Sequence, residues 1–145
     1  MKQEGHTLME LMVVLAVTGI ISALAVPNVL TLSSGVQIHS ATAEVASELR
    51  LARQLAITHR DRVRITFSLE QQALVSQFVN GSEATLHHVY RYADKGVAID
   101  EPSAGLEILF HPSGRSATAT TIHLRNKEGQ TQTVTVGITG RVSIL

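Results

Sequence analysis

KQEGHTLMELMVVLAVTGIISALAVPN, residues 2–28, sets the carboxylate of Glu10 directly against a long apolar run that carries no charge. Glu10 abuts residues 11–26, a run of 16 apolar or small residues without a charge. As helix that run measures roughly 24 Å at about 1.5 Å per residue, short of a hydrocarbon core of about 30 Å. Continuing through Pro27 and Asn28 to Leu32 supplies the missing length, with a kink expected at Pro27, whose ring removes a helical donor. A carboxylate at the centre of a spanning helix costs about 2.5–3.5 kcal/mol, so Glu10 calls for a reason.

Three plain readings stand beside any special one. A secretory signal peptide would take Lys2 as its basic region and end at Ala23, Leu24 and Ala25, an A-x-A site that would release a soluble protein. Glu4 and Glu10 oppose it, because they sit where that region should be basic. A plain membrane anchor leaves Glu10 unexplained. A buried core helix needs a partner for Glu10 and leaves the run apolar on every face.

Composition narrows the function classes. The 145 residues have room for one modest domain and one extended element. Twelve basic residues balance twelve acidic ones, and beyond residue 35 the tally is 11 against 10, so net charge gives no case for nucleic acid or anionic lipid. The absence of cysteine rules out disulfides and thiolate metal sites. Three Phe, two Tyr and no Trp argue against a base-stacking surface.

Beyond a Ser/Gly stretch at residues 31–35 that permits a bend, Ile38, Thr42, Val45, Leu49, Ala52 and Ala56 recur at helical steps and give one apolar face. The helix is expected to end near His59. From Arg62 to Phe67 polar and apolar residues alternate, the pattern of a half-buried strand. Residues 73–79 and 86–92 read as two strands joined at Asn80 and Gly81, a hairpin pair. Further strands are expected at 106–110, 118–124 and 131–139, with a short ending at 141–145; turns fall at 111–114 and 126–129. The fold class is α+β, a long helix packed on an antiparallel sheet or a pair of sheets.

GHTLME, residues 5–10, followed at once by an apolar helix, resembles the class III signal of type IV pilins and pseudopilins. The resemblance implies a leader at residues 1–5, cut by a prepilin peptidase between Gly5 and His6, and methylation of the new N-terminus at His6. Glu10 then becomes the fifth mature residue and Pro27 the twenty-second, where that family carries its glutamate and proline. The first mature residue departs from the family's usual Phe or Met. The resemblance further implies that Glu10 faces the α-amino group of a neighbouring subunit in a filament core, fixing axial register. In low dielectric that attraction far exceeds its value in water.

Downstream, ELRLARQLA at residues 48–56, FHPSGR at 110–115 and GRV at 140–142 resemble the helix, turn and closing motifs of the GspH/FimT group of minor pseudopilins and pilins. This implies a pilin-like fold in which residues 6–35 form a transmembrane and filament-core helix. Residues 36–145 then form a periplasmic domain, with an amphipathic helix at 36–59 and a β-rich part at 60–145. It also implies a single-pass protein of the bacterial inner membrane that enters a filament as a structural and assembly-priming subunit. Its partners would be other major and minor subunits, the prepilin peptidase and the inner-membrane assembly platform. Some members of the group bind DNA through a C-terminal G-R-x-R motif. Here Gly140 and Arg141 match and Ser143 replaces the second arginine, so DNA uptake is the alternative function.

No catalytic constellation, cofactor fingerprint or metal set emerges. Among seven histidines, His87 and His88 are adjacent on a strand and are expected to point to opposite faces. Arg50, Arg53, Arg60, Arg62 and Arg64 concentrate positive charge within 15 positions. Arg60, Arg62 and Arg64 are expected on one strand face, either as a solvated edge or as an anionic contact shared with Arg141.

Overall fold

The computed structural model describes the backbone over residues 7–80 and 83–145, and side chains over 7–23, 35–79 and 85–145. The leader, Gly5, His6 and Gly81 lie outside the described residues, as does the side chain of Pro27. The chain divides into two compact units, Met1–Ser34 and Gly35–Leu145, and the helix α1, Leu8–His59, contributes to both.

In the first unit Thr7 precedes α1, and its hydroxyl accepts the Glu10 N–H at 3.3 Å and caps the first turn. Glu10 thus sits where the helix dipole favours a negative charge. Every residue from 7 to 23 is exposed, including Leu8, Met9, Leu11, Met12, Leu15, Ile20 and Ile21. Among the described residues no helix is long and apolar enough to cross a membrane.

In the second unit the anticipated stripe is the buried one: Ile38, Thr42, Val45, Leu49, Ala52 and Ala56 all face the core, joined by Ala41 and Ala46. Thr42 meets the cost of burial by donating to the Ile38 carbonyl at 2.7 Å. The four alanines remove bulk from the stripe, while Leu49 and the sheet aliphatics each gain about 1.5–3 kcal/mol from burial. The helix stops at His59 because Arg60 turns left-handed (φ 52), with Arg60 N–H donating to Ile57 O and Asp61 N–H to Ala56 O. That pair of bonds is a Schellman cap, here closed by an arginine instead of the usual glycine.

Two four-stranded antiparallel sheets complete the unit. The first has β1 (Val63–Ser68), β2 (Ala73–Asn80), β3 (Glu83–Arg91) and β5 (Glu107–Phe110) in the order β3-β2-β1-β5. The second has β4 (Val97–Ile99), β6 (Thr120–Asn126), β7 (Thr131–Val136) and β8 (Val142–Ile144) in the order β4-β6-β7-β8. Ile65, Phe67 and Ile108 from the first and Ile122, Leu124, Val134 and Val136 from the second share one core with the helix stripe. No periodicity announces β4, whose three residues follow a 3-10 turn at Ala93–Lys95 and are too few to show one.

Two expectations are corrected. Arg60, Arg62 and Arg64 do not all share a strand face: Arg60 caps the helix, while Arg62, just before β1, accepts the Val79 N–H at its carbonyl and alternates with buried Val63 as Arg64 does, the latter 3.5 Å from Glu107. His87 and His88 do not point apart. Ser76 pairs with His88 and Gln77 with Leu86, so His87 is the extra residue of a bulge that breaks the alternation. His88 Nε2 stands 3.8 Å from Glu48 of α1, while His87 meets edge-on the Phe78 ring that also contacts His59. Among the described residues no group of three or more His or carboxylate side chains could hold a metal ion.

Glu44 ties α1 to the first sheet. It accepts from Lys95 Nζ at 2.9 Å and from the Tyr90 hydroxyl at 2.8 Å, which hold its carboxyl below the ordinary 4.5. Burial, reinforced by Glu44, pushes the Tyr90 phenol well above its usual range. Below pH 4.5 the unfolded chain takes up the Glu44 proton before the folded one does, so this stabilisation fades as pH falls through the lowered pKa. Thermal unfolding of Glu44→Gln should show a lower melting temperature than wild type at neutral pH. The gap should narrow below pH 4.5.

Candidate functional site

The arginines that looked like a patch of surface charge divide into two kinds. Arg50 and Arg53 leave α1 one turn apart and spend their guanidinium groups on backbone. Arg50 Nη2 donates to Val142 O at 3.2 Å and Arg53 Nε to Gly114 O at 2.8 Å. Charged donors to a carbonyl make stronger bonds than neutral ones, and each of these fixes a separate segment to the helix.

Both segments begin from the same turn. In residues 111–115, Gly114 N–H donates to His111 O at 2.8 Å and His111 N–H to Arg115 O at 2.9 Å. In residues 137–141, Gly140 N–H donates to Gly137 O at 2.8 Å and Gly137 N–H to Arg141 O at 2.9 Å. Gly114 (φ 77) and Gly140 (φ 76) occupy the left-handed position that such a turn requires. The sequence carries the signal twice, as HPSGR and GITGR, each closing on Gly-Arg.

The two turns pack together. A methyl on Gly140 would overlap the Gly114 carbonyl oxygen and stand 2.8 Å from Arg53 Nε. One on Gly114 would come within 2.9 Å of Ile57 Cδ1. The helix, turn and closing motifs, spread over about ninety residues of sequence, therefore meet at one junction. Arg115 and Arg141, each the residue after the glycine, are both exposed.

The cationic end is wider than these two. Val63 pairs with Phe110, so Arg62 and His111 flank the same end of the first sheet, and Arg60 stands at the end of α1 beside them. Of the four arginines expected to make an anionic contact, Arg60, Arg62 and Arg141 lie at this end, and Arg64 is engaged by Glu107. Arg115 was missed as a site residue, since only the fold brings it beside Arg141. Asp61 is the acid among the described side chains here, and its Oδ1 accepts the Arg62 N–H at 2.7 Å.

The sequence model described as "Type II transport protein GspH" matches residues 41–140, and the prokaryotic N-terminal methylation motif matches residues 1–26. The chain belongs to the GspH family. The GspH match contains Arg50, Arg53, Gly114 and Gly140, so the junction is internal to it, and Arg141 lies one residue beyond. Gly5, His6 and Glu10 fall within the methylation motif. Among solved structures the chain is similar to the type IV minor pilin FimU of Pseudomonas aeruginosa, at 15% identity and a TM-score of 0.66, covering 79% of this chain and 92% of that one. It is also similar to the minor pseudopilin EpsH of the type 2 secretion system of Vibrio cholerae, at 14% identity and a TM-score of 0.64, covering 75% and 96%. At these identities the likeness concerns the fold. No curated protein matches the chain.

Gly140→Ala tests the junction. A left-handed alanine alone costs about 1–2 kcal/mol, and the collision with the Gly114 carbonyl adds to it. Chemical denaturation should show a loss of about 2–4 kcal/mol. Gly129→Ala, at a left-handed glycine with open space around it, should cost only the first part.

Proposed function

We propose that this GspH-family chain is a minor subunit of a type II secretion pseudopilus or a type IV pilus, working in the structure and priming of the filament rather than in catalysis. The observation that carries this reading is the uncovered apolar length of residues 7–23, exposed all round and headed by the methylation motif. A helix apolar on every face is stable in water only when something covers it, either lipid or the helices of other subunits.

On this reading the prepilin peptidase cuts after Gly5, His6 becomes the methylated N-terminus, and residues 6–35 anchor the chain once in the inner membrane with the C-terminal unit in the periplasm. The inner-membrane assembly platform then transfers it among other major and minor subunits. Glu10 is the register element. Thr7 caps the turn in which it sits, leaving its carboxylate at the head of the helix, where a neighbour's α-amino group can reach it. An unpaired carboxylate in a low-dielectric filament core is penalised, so only the paired axial step is favourable. Pro27, where family members carry a proline, lies in the anchoring part. No cofactor or metal enters this function.

DNA uptake is the second reading. Ser143 removes the second arginine of the G-R-x-R motif, but Arg115 brings another to the same end as Arg141. Retardation of a DNA duplex at low salt, lost on Arg141→Ala and falling with added salt, is the result this alternative requires.

Intact mass of the protein recovered from membranes should fit cleavage after Gly5 plus one methyl group; cleavage after Ala25 would contradict the reading. In purified filaments Glu10→Leu should reduce incorporation of this subunit about tenfold or more, the factor that roughly 1.4 kcal/mol of lost pairing gives. Glu10→Asp should lie in between.

A further inference from the structure

We propose that the end of the Gly35–Leu145 unit formed by the turns 111–115 and 137–141 is a docking surface for a carboxylate-bearing face of a different protein subunit. This rests on the filament reading above and extends it to a named surface. Arg60, Arg62, Arg115 and Arg141 are exposed there, and Asp61 is the acid beside them among the described side chains. Among the described side chains the end is cationic, although the sequence as a whole is neutral.

The arginines have aliphatic company. Ile138, at the head of the second turn, is 52% exposed and Ile57 38%, and Pro112 is also exposed. Protein interfaces favour arginine with apolar side chains and disfavour lysine, and among the described residues no lysine lies at this end. A nucleic-acid platform would set aromatic faces beside its cations; here the exposed neighbours of Arg115 and Arg141 are Pro112 and Ile138, and the Phe78 ring near Arg60 and Arg62 is packed edge-on between His59 and His87.

A second copy of this chain is a poor occupant. At the opposite end of the sheets, Glu70, Asp94 and Glu128 are exposed, but Arg91 and Lys127 stand with them. Elsewhere Glu44, Glu48, Asp100 and Glu107 already face Lys95, His88, Arg125 and Arg64, which leaves Glu101 as a single exposed carboxylate beside the Asp100–Arg125 pair. The surface also comes rigid. Arg53 on the Gly114 carbonyl and Gly140 against that carbonyl hold the two turns, so Arg115 and Arg141 are presented at fixed spacing and less is lost in ordering them on contact.

The absence of cysteine allows a clean test, because Ile138→Cys gives the chain a single thiol. The full chain carrying this change replaces wild type in its host, filaments are purified, and a thiol-coupled benzophenone on that position is photoactivated. The expected product is an adduct with a different filament subunit, identified by mass. Arg115→Glu with Arg141→Glu should lower its yield about tenfold, and Arg115→Lys with Arg141→Lys should keep most of it. Changing to lysine a carboxylate residue of the partner within the cross-linked peptide should restore yield to the Glu variant. Single reversals serve if the double variant misfolds. Normal amounts of the chain in filaments with no adduct, with an adduct to a second copy, or with a yield indifferent to charge reversal would overturn the proposal and leave the filament reading intact. So would Arg-dependent retardation of a DNA duplex with an unchanged adduct yield. Absence of wild-type chain from filaments would instead overturn the filament reading.

Discussion

Arg53 reaches from the last two turns of α1 to the carbonyl of Gly114, and the last turn of the chain closes over that contact because residue 140 has no side chain. The rest of the β-rich unit depends on this. A hydrogen bond to a charged group contributes about 1.5–3 kcal/mol, and the half-buried position of Arg53 puts it toward the lower figure. Its placement counts for more than its size. One guanidinium group joins the helix to β5 through residues 111–115 and to β8 through residues 137–141, and Arg50 adds a second bond to β8 at Val142. The second sheet has no strand neighbours in the first. The shared core, these helix contacts and the Ser116 N–H bond to Ile138 O at 3.0 Å, from a residue bridged to Phe110, are what unite them.

Much of this was readable in advance, where local chemistry and burial agree. The helix stripe from Ile38 to Ala56 is the buried one because a 3.6-residue period and a small-residue composition allow one arrangement. Glycine placement marked the turns at residues 111–114 and 126–129. What escaped depends on tertiary context. Arg60 is left-handed although arginine has no preference for that region, since the cap bonds to Ile57 and Ala56 impose it. That displaces Arg60 from the strand and removes it from the alternation that Arg62 and Arg64 keep. The bulge at His87 likewise answers to strand register, which a two-residue period cannot foretell. At the candidate site, Arg141 and its glycine stood out in sequence. Arg115 did not, because its importance comes from the packing of Gly140 on Gly114.

The two units also use charge in different ways. In Met1–Ser34 one carboxylate stands at the head of an apolar helix, capped at its backbone by Thr7. In Gly35–Leu145 carboxylates such as Glu44 are consumed by internal partners, and guanidinium groups remain exposed at one end. A chain with no net charge can therefore carry one acidic and one cationic contact, each suited to a different neighbour.

Amide hydrogen exchange in wild type and Arg53→Met tests the role of the junction most directly. Methionine keeps most of the apolar stem and loses the donors, so the helix stripe should hold its protection. Faster exchange confined to the Gly114, Gly137 and Gly140 amides and the start of β8 is the predicted result. Unchanged exchange at both turns, or acceleration spread evenly over helix and sheets, would contradict the claim that this one side chain holds them together.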